Sequence, residues 1–303
     1  MSASSPSRRR VLAGASLTAG GALLGALSGA PALAAAPVPG RTRPGAGGDI
    51  EVVVRPDSVL APSYAAPGAV TFTVSTPSAK GLSLLLITLR VPLAEYLADV
   101  RAMSEAERPE DVARAAAKVE ADAVNRGGAV LTPGRPVSFT AVLPRGRHHL
   151  IGYAYSTPGA VPVAHPLTVT GRPNPVAPRV DGLIVQTRSG FSLPRGRLRA
   201  EGDHLVVNRS GQLNEAVLIP VRSGTTGAEI DAVFAALASG TRPPSMPFTG
   251  DPSGLAPLSP GRVARLRPGA PPGEYLLTSW VTSTETGRPR AFGGYHRLVR
   301  VGP

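Results

Sequence analysis

The chain has 303 residues, is 42% apolar, and is more than a fifth glycine and proline, which excludes both a disordered chain and a bundle of long helices. Its formal charge of +12 rests on scattered arginines without a recognition helix or a stacking aromatic set, so no nucleic acid is expected as a partner. Cysteine is absent, which excludes disulfides, thiolate metal sites, lipid anchoring on cysteine and cysteine nucleophiles.

The N-terminal segment carries an address. Ser7-Arg8-Arg9-Arg10-Val11-Leu12 resembles the twin-arginine export motif, with Arg8, Arg9 and Leu12 at its defining positions. A mild apolar run from Val11 to Leu27 follows, then small residues in which Ala34 and Ala36 suit a signal peptidase. The run is rich in glycine and falls short of the ~20 apolar residues of a membrane span. Residues 1–36 therefore read as a cleaved signal peptide, so the membrane is met only during export and the protein is secreted or extracytoplasmic. Losing Arg8, Arg9 and Arg10 takes the formal +12 to +9. The resemblance implies a chain that folds before it is exported, which suits one without cysteine.

Residues 37–49 (PVPGRTRPGAGG and Asp49) have no periodicity and read as a flexible spacer. Strands are expected at Ile50 to Arg55, Val70 to Val74 and Leu82 to Val91. The period then turns helical through Leu93, Tyr96, Leu97 and Val100. Ser104 and Glu107 make a capping box for a second helix, striped by Val112, Ala116, Val119 and Ala123 and stopped at Gly127. This insertion, about 92–126, belongs on the outside of a sheet. Strands resume at Val137 to Leu143, His149 to Tyr155 and Leu167 to Val169. The proline-rich 172–180 reads as a linker between a first domain, 50–171, and a second, 181–303. The second half replays the order, with a helix at 227–239 capped by Thr226 and Glu229 and ended at Gly240. Thr132 to Arg135 and Ser259 to Arg262 are twin Ser/Thr-Pro-Gly-Arg turns, which points to an internal repeat. The fold class is mainly β: two β-sandwich domains of Greek-key type with short helical insertions.

In the second half, Asn214-Glu215-Ala216-Val217-Leu218, Leu258-Ser-Pro-Gly261 and Pro272-Gly-Glu-Tyr-Leu-Leu277 resemble exported bacterial proteins with a cupredoxin-like domain. The resemblance implies a first copper histidine near Asn214 or Glu215 and a thiolate near Ser279. It implies a second histidine near Arg290, and an axial methionine near Gly294 or Tyr295. None of these residues is the ligand required, and the thiolate is missing from the whole chain, so type 1 copper is excluded.

Other chemistry is sparse. Among five histidines, His148, His149 and His165 are the candidate metal ligands: one of the first two could meet His165 across paired strands and hold copper or zinc with a carboxylate. Adjacent His148 and His149 fall on opposite faces of a strand, and the bland alternative is that all three are ordinary strand residues. No Gly-x-Ser-x-Gly elbow, Ser-x-x-Lys pair or phosphate loop is present, so no enzyme is nominated. Trp280 reads as core. The expectation is a non-catalytic exported binding or structural module without a cofactor, its partner an anionic cell-wall polymer or another exported protein. The alternatives are an extracytoplasmic metal-handling protein, and a hydrolase whose site forms no linear motif.

Overall fold

Alternating burial of Ile50, Val52 and Val54, and of Val70, Phe72 and Val74, fixes the inward face of the first strands. The computed structural model describes residues 48–79, 81–154, 161–174 and 179–303. Arg8, Arg9, Leu12, Ala34, Ala36 and nearly all of the 37–49 spacer lie outside the described residues.

The first half gives strands β1 (Asp49–Val54), β2 (Val59–Leu60), β3 (Tyr64–Ala65), β4 (Gly68–Ser75) and β5 (Leu82–Leu89). Helices α1 (Leu93–Glu105) and α2 (Pro109–Asp122) follow, then β6 (Ala123–Leu131), β7 (Val137–Leu143), β8 (Gly146–Tyr153) and β9 (Val163–Val169). The second half gives β10 (Gly182–Thr187), β11 (Gly190–Ser192), β12 (Arg197–Arg199), β13 (His204–Asn208) and β14 (Asn214–Pro220). Helix α3 (Gly227–Ala238), β15 (Ser253–Leu258), β16 (Val263–Arg267), β17 (Gly273–Thr278), a short 3-10 turn (Arg290–Gly293) and β18 (His296–Gly302) complete it.

The strands form a two-sheet β sandwich. The eight-stranded sheet runs β11-β10-β13-β16-β7-β4-β1-β2, and the ten-stranded sheet β12-β18-β17-β14-β15-β6-β5-β8-β9-β3. Each order is a palindrome of equivalent strands: β1 lies parallel to β4 as β10 does to β13, and β5 separates β6 from β8 as β14 separates β15 from β17. The internal repeat is therefore present in the topology. The halves join edge to edge, with Ala264 opposite Ala141 in β16–β7 and Leu255 opposite Ala129 in β15–β6. This pairing removes two open sheet edges from each half. Asn174, in the predicted linker, donates from its backbone to Pro67 O (2.7 Å) and from its amide to Ala69 O (2.9 Å), tying that segment to the first half.

The twin turns are what carry the chain between sheets, β6 to β7 and β15 to β16. In both, proline leads into a glycine at φ 72° (Gly134 and Gly261), a left-handed value that suits glycine. On the inner face of the eight-stranded sheet Phe72 of β4 stacks on its cross-strand partner Phe139 of β7, with centroids 4.9 Å apart. The three helices cover the outer face of the ten-stranded sheet, where Ile230, Val233 and Phe234 of α3 pack with Val217 and Ile219. None of the helices is long and apolar enough to cross a membrane among the described residues.

Two local expectations fail. Helix α1 continues through Ser104, whose hydroxyl turns back to Arg101 O (2.7 Å) instead of capping the next helix. Helix α2 begins instead with Pro109 at its first position, where a fixed φ and a missing N–H cost nothing. Gly127 does not end that helix. Strand β6 starts directly at Ala123, and Gly127 falls where the register against β5 shifts.

Candidate functional site

The positions at which the cupredoxin resemblance places copper ligands converge at one end of the second half. β14 begins at Asn214, β17 ends at Thr278, and the segment 279–295 folds back through the 3-10 turn over that end. Thr278 Oγ1 donates to Tyr295 O (3.2 Å), Ala291 N to Ser279 O (2.8 Å) and Arg290 N to Val281 O (3.0 Å). The Arg290 guanidinium lies 4.2 Å from the Tyr295 ring centroid, within cation–π range. The Tyr295 hydroxyl donates to Thr187 O (2.8 Å), anchoring the end of β10, and the Asn214 amide lies beside that hydroxyl. Burial pushes the Tyr295 phenol up to about 12, so it stays protonated and remains a donor.

Glu215 stands next to this cluster. It is buried, and Oε1 accepts the Trp280 backbone N–H (2.7 Å). With no cation paired to it among the described residues, desolvation pushes its carboxyl up to about 7. Trp280, read from the sequence as core, is partly buried and packs edge-on to Phe234 of α3 (5.6 Å) at the margin of the outer cluster.

The donor set does not fit copper. An amide, a hydroxyl, a guanidinium and a phenol stand where two imidazoles, a thiolate and a thioether would be needed. Arg290 also sets a permanent positive charge on the spot, which repels a metal cation. The cluster works instead as a clasp, binding β10, β14, β17 and β18 at one end of the sandwich.

The histidines are not gathered. His148 is buried with both ring nitrogens engaged: Nε2 donates to Pro144 O (2.9 Å), so Nδ1 accepts from Thr88 Oγ1 (2.9 Å). Thr88 Oγ1 in turn accepts from Arg126 Nε (2.9 Å). Burial holds the His148 ring below the usual histidine pKa, and so neutral. In the β8–β9 pair His165 stands opposite Leu150, on the same face as His148, while His149 stands opposite Pro166 on the other face. Among the described residues no three His, Asp or Glu side chains are grouped to hold a metal ion. His296, opposite Thr278 in β17–β18, meets Asp231 Oδ1 at 3.0 Å.

Two surface cavities border the sandwich. One, of about 410 Å³, lies on the uncovered face of the eight-stranded sheet, lined by Thr71, Thr140, Asp203, Arg265 and Arg267. Arg265 and Arg267 both pair with Asp203, at 3.1 and 2.9 Å, and Asp49 and Glu51 also line the cavity. The other, of about 510 Å³, lies where the halves meet and contains Arg126 and Arg262. In the sequence Arg262 stands out only as the end of a twin turn and Arg126 not at all, because the shift of register in β6 sets the direction of Arg126.

The sequence matches no protein-family model and no curated protein. Solved structures to which the chain is similar include auracyanin B, at 16% identity over 42% of this chain and 94% of that one, with a TM-score of 0.24. They also include a multicopper oxidase, at 12% identity over 84% of this chain and 88% of that one (TM-score 0.21). The McoA multicopper oxidase of the hyperthermophile Aquifex aeolicus is a third, at 10% identity over 85% and 66% (TM-score 0.25). No function is transferred from similarity this distant.

Proposed function

We propose that the protein is an exported, non-catalytic binding module of cupredoxin-like descent, and that its partner is an anionic cell-wall polymer. In this reading residues 1–36 direct twin-arginine export and are removed, and residues 37–49 space the sandwich from the cleavage point. Residues 50–171 and 181–303 are two copies of one ancestral unit. The observation that carries the reading is the clasp: residues at the ligand positions of a copper fold are spent on holding strands together, with a guanidinium in the midst. A fold so altered keeps its shape and gives up its redox chemistry, leaving recognition as its use. The formal +9 of the processed chain supports an anionic partner, since scattered positive charge draws a polyanion over long range.

The test is retention of the purified chain on an immobilised glycerol-phosphate polymer. Retention is expected at low salt and loss as sodium chloride rises toward about 0.5 M, where the screening length falls below roughly 5 Å. Equal retention on an uncharged polysaccharide, or none on the polyanion at low salt, refutes the reading.

A further inference from the structure

We propose that Arg126 and Arg262 form a preorganised site for a small oxyanion, a phosphate or carboxylate group, in the cavity between the two halves. Strand β6 presents Arg126 from the ten-stranded sheet, and the β15–β16 turn presents Arg262 opposite it; both line the same cavity of about 510 Å³. Val142 and Val263, large apolar residues left exposed, wall it on the side of the eight-stranded sheet.

The turn is held rigidly. Ser259 N donates to Asn125 O (3.0 Å), Asn125 N donates to Ser259 Oγ (2.9 Å), and Gly261 N and Asn208 N each complete a bond across to the other segment (2.9 and 3.0 Å). Arg126 is held as well, through its Nε bond to Thr88, which leaves both terminal nitrogens of its guanidinium without a protein partner among the described residues and able to donate. Two like charges thus border one cavity, Arg126 held through its side chain and Arg262 carried on a turn whose backbone is held. Arg126 is half-buried, and both desolvation and the Arg262 charge work against its ionised form.

No carboxylate relieves them. Neither arginine is in an ion pair among the described residues, and every Asp and Glu of the chain lies within those residues. In the neighbouring cavity, by contrast, Asp203 serves Arg265 and Arg267. The internal repeat supplies a control. Arg135, the equivalent of Arg262 in the twin turn, has Asp251 within electrostatic reach, whereas Arg262 has a second arginine. An oxyanion accepting from both guanidinium groups would turn that repulsion into paired charge-assisted hydrogen bonds.

The proposal deepens the polymer reading, on which it rests only for the physiological source of the anion. Its test is thermal unfolding of the full chain with increasing inorganic phosphate, at ionic strength held constant with chloride. A saturable rise in Tm is expected. Arg262→Gln, at an exposed position where folding is safe, should weaken the apparent affinity about tenfold or more, the worth of one strong ionic hydrogen bond. Arg135→Gln should leave it unchanged. No rise in the wild type, or an equal rise in Arg262→Gln, overturns the site whatever the polymer column gives. Polymer retention that persists in Arg262→Gln while the phosphate response is lost confirms the small-anion site and assigns the polymer to another surface.

Discussion

Gly128→Ala is expected to cost the fold about 3 kcal/mol or more and to leave little folded protein at 37 °C. Gly128 lies in β6 with φ 148°, a conformation that side-chain-bearing residues rarely adopt. A Cβ there would overlap the Leu84 carbonyl oxygen of the adjacent β5, with the Ala256 methyl close on another side. Leu84 is a fully buried core residue in a strand paired on both edges, so the obstructing atom is backbone that cannot rotate away. Gly254, in the equivalent strand β15, has φ 147° and is blocked in the same way by Ala216 O, so the repeat keeps the device twice. Gly134→Ala is the comparison. Its φ is also positive, but nothing lies within 4 Å of the new methyl, so only a conformational cost of roughly 1 kcal/mol is expected. Urea unfolding of the three chains measures both. Equal midpoints for Gly128→Ala and Gly134→Ala would show that β5 yields and that the close approach is not rigid.

Glu215 is expected to make the protein less stable as pH rises from about 5 to 8. Its carboxyl titrates near 7 in the folded chain and near 4.5 when unfolded. Between those values the folded state holds a proton that the unfolded state has released, so stability falls with pH throughout that window. Above it the penalty is complete, on the order of 3 kcal/mol for a shift of this size. Buried His148 and half-buried His149, held below their ordinary pKa by desolvation, act in the opposite sense: stability is lost as pH falls through the histidine range. Comparison with Glu215→Gln therefore isolates the carboxyl. That variant keeps an acceptor for Trp280 N–H and has no charge to bury, so the difference in unfolding free energy between the two chains should grow with pH. A difference that stays constant from pH 5 to 8 would mean that Glu215 remains ionised and solvated.

What could be read in advance follows from how local its cause is. Alternation at Val70, Phe72 and Val74 located a strand, and Thr226 with Glu229 located the start of α3, where the Thr226 hydroxyl accepts the Glu229 N–H (3.2 Å). The twin Pro-Gly turns were legible because proline and glycine set their own backbone angles. The start of α2 was not, because Ser104 was already committed to α1 and a proline outweighed the capping box. Gly127 was misread for a similar reason: a glycine after a helical stripe looks like a stop, while its use is to let β6 shift against β5. The edge-to-edge joining of the halves depends on pairs such as Leu255–Ala129, far apart in sequence, and has no local signature. The same applies to the sites. The resemblance pointed to Asn214, Ser279, Arg290 and Tyr295, but their joint use as a clasp depends on how 279–295 folds back over β14. Arg262 reads only as part of a turn, and Arg126 as any scattered arginine, until the sheets bring them to one cavity.

The central claim is that the positions at which the resemblance implies copper ligands serve structure alone in this chain. Calorimetric titration of the full-length chain with Cu(II), beside Asn214→Ala and Tyr295→Phe, tests it most directly. Any uptake by the wild type is predicted to be unchanged in both variants, while Tyr295→Phe lowers stability by about 1 kcal/mol through loss of its bond to Thr187 O. A stoichiometric copper site that is present in the wild type and lost in either variant would contradict the account.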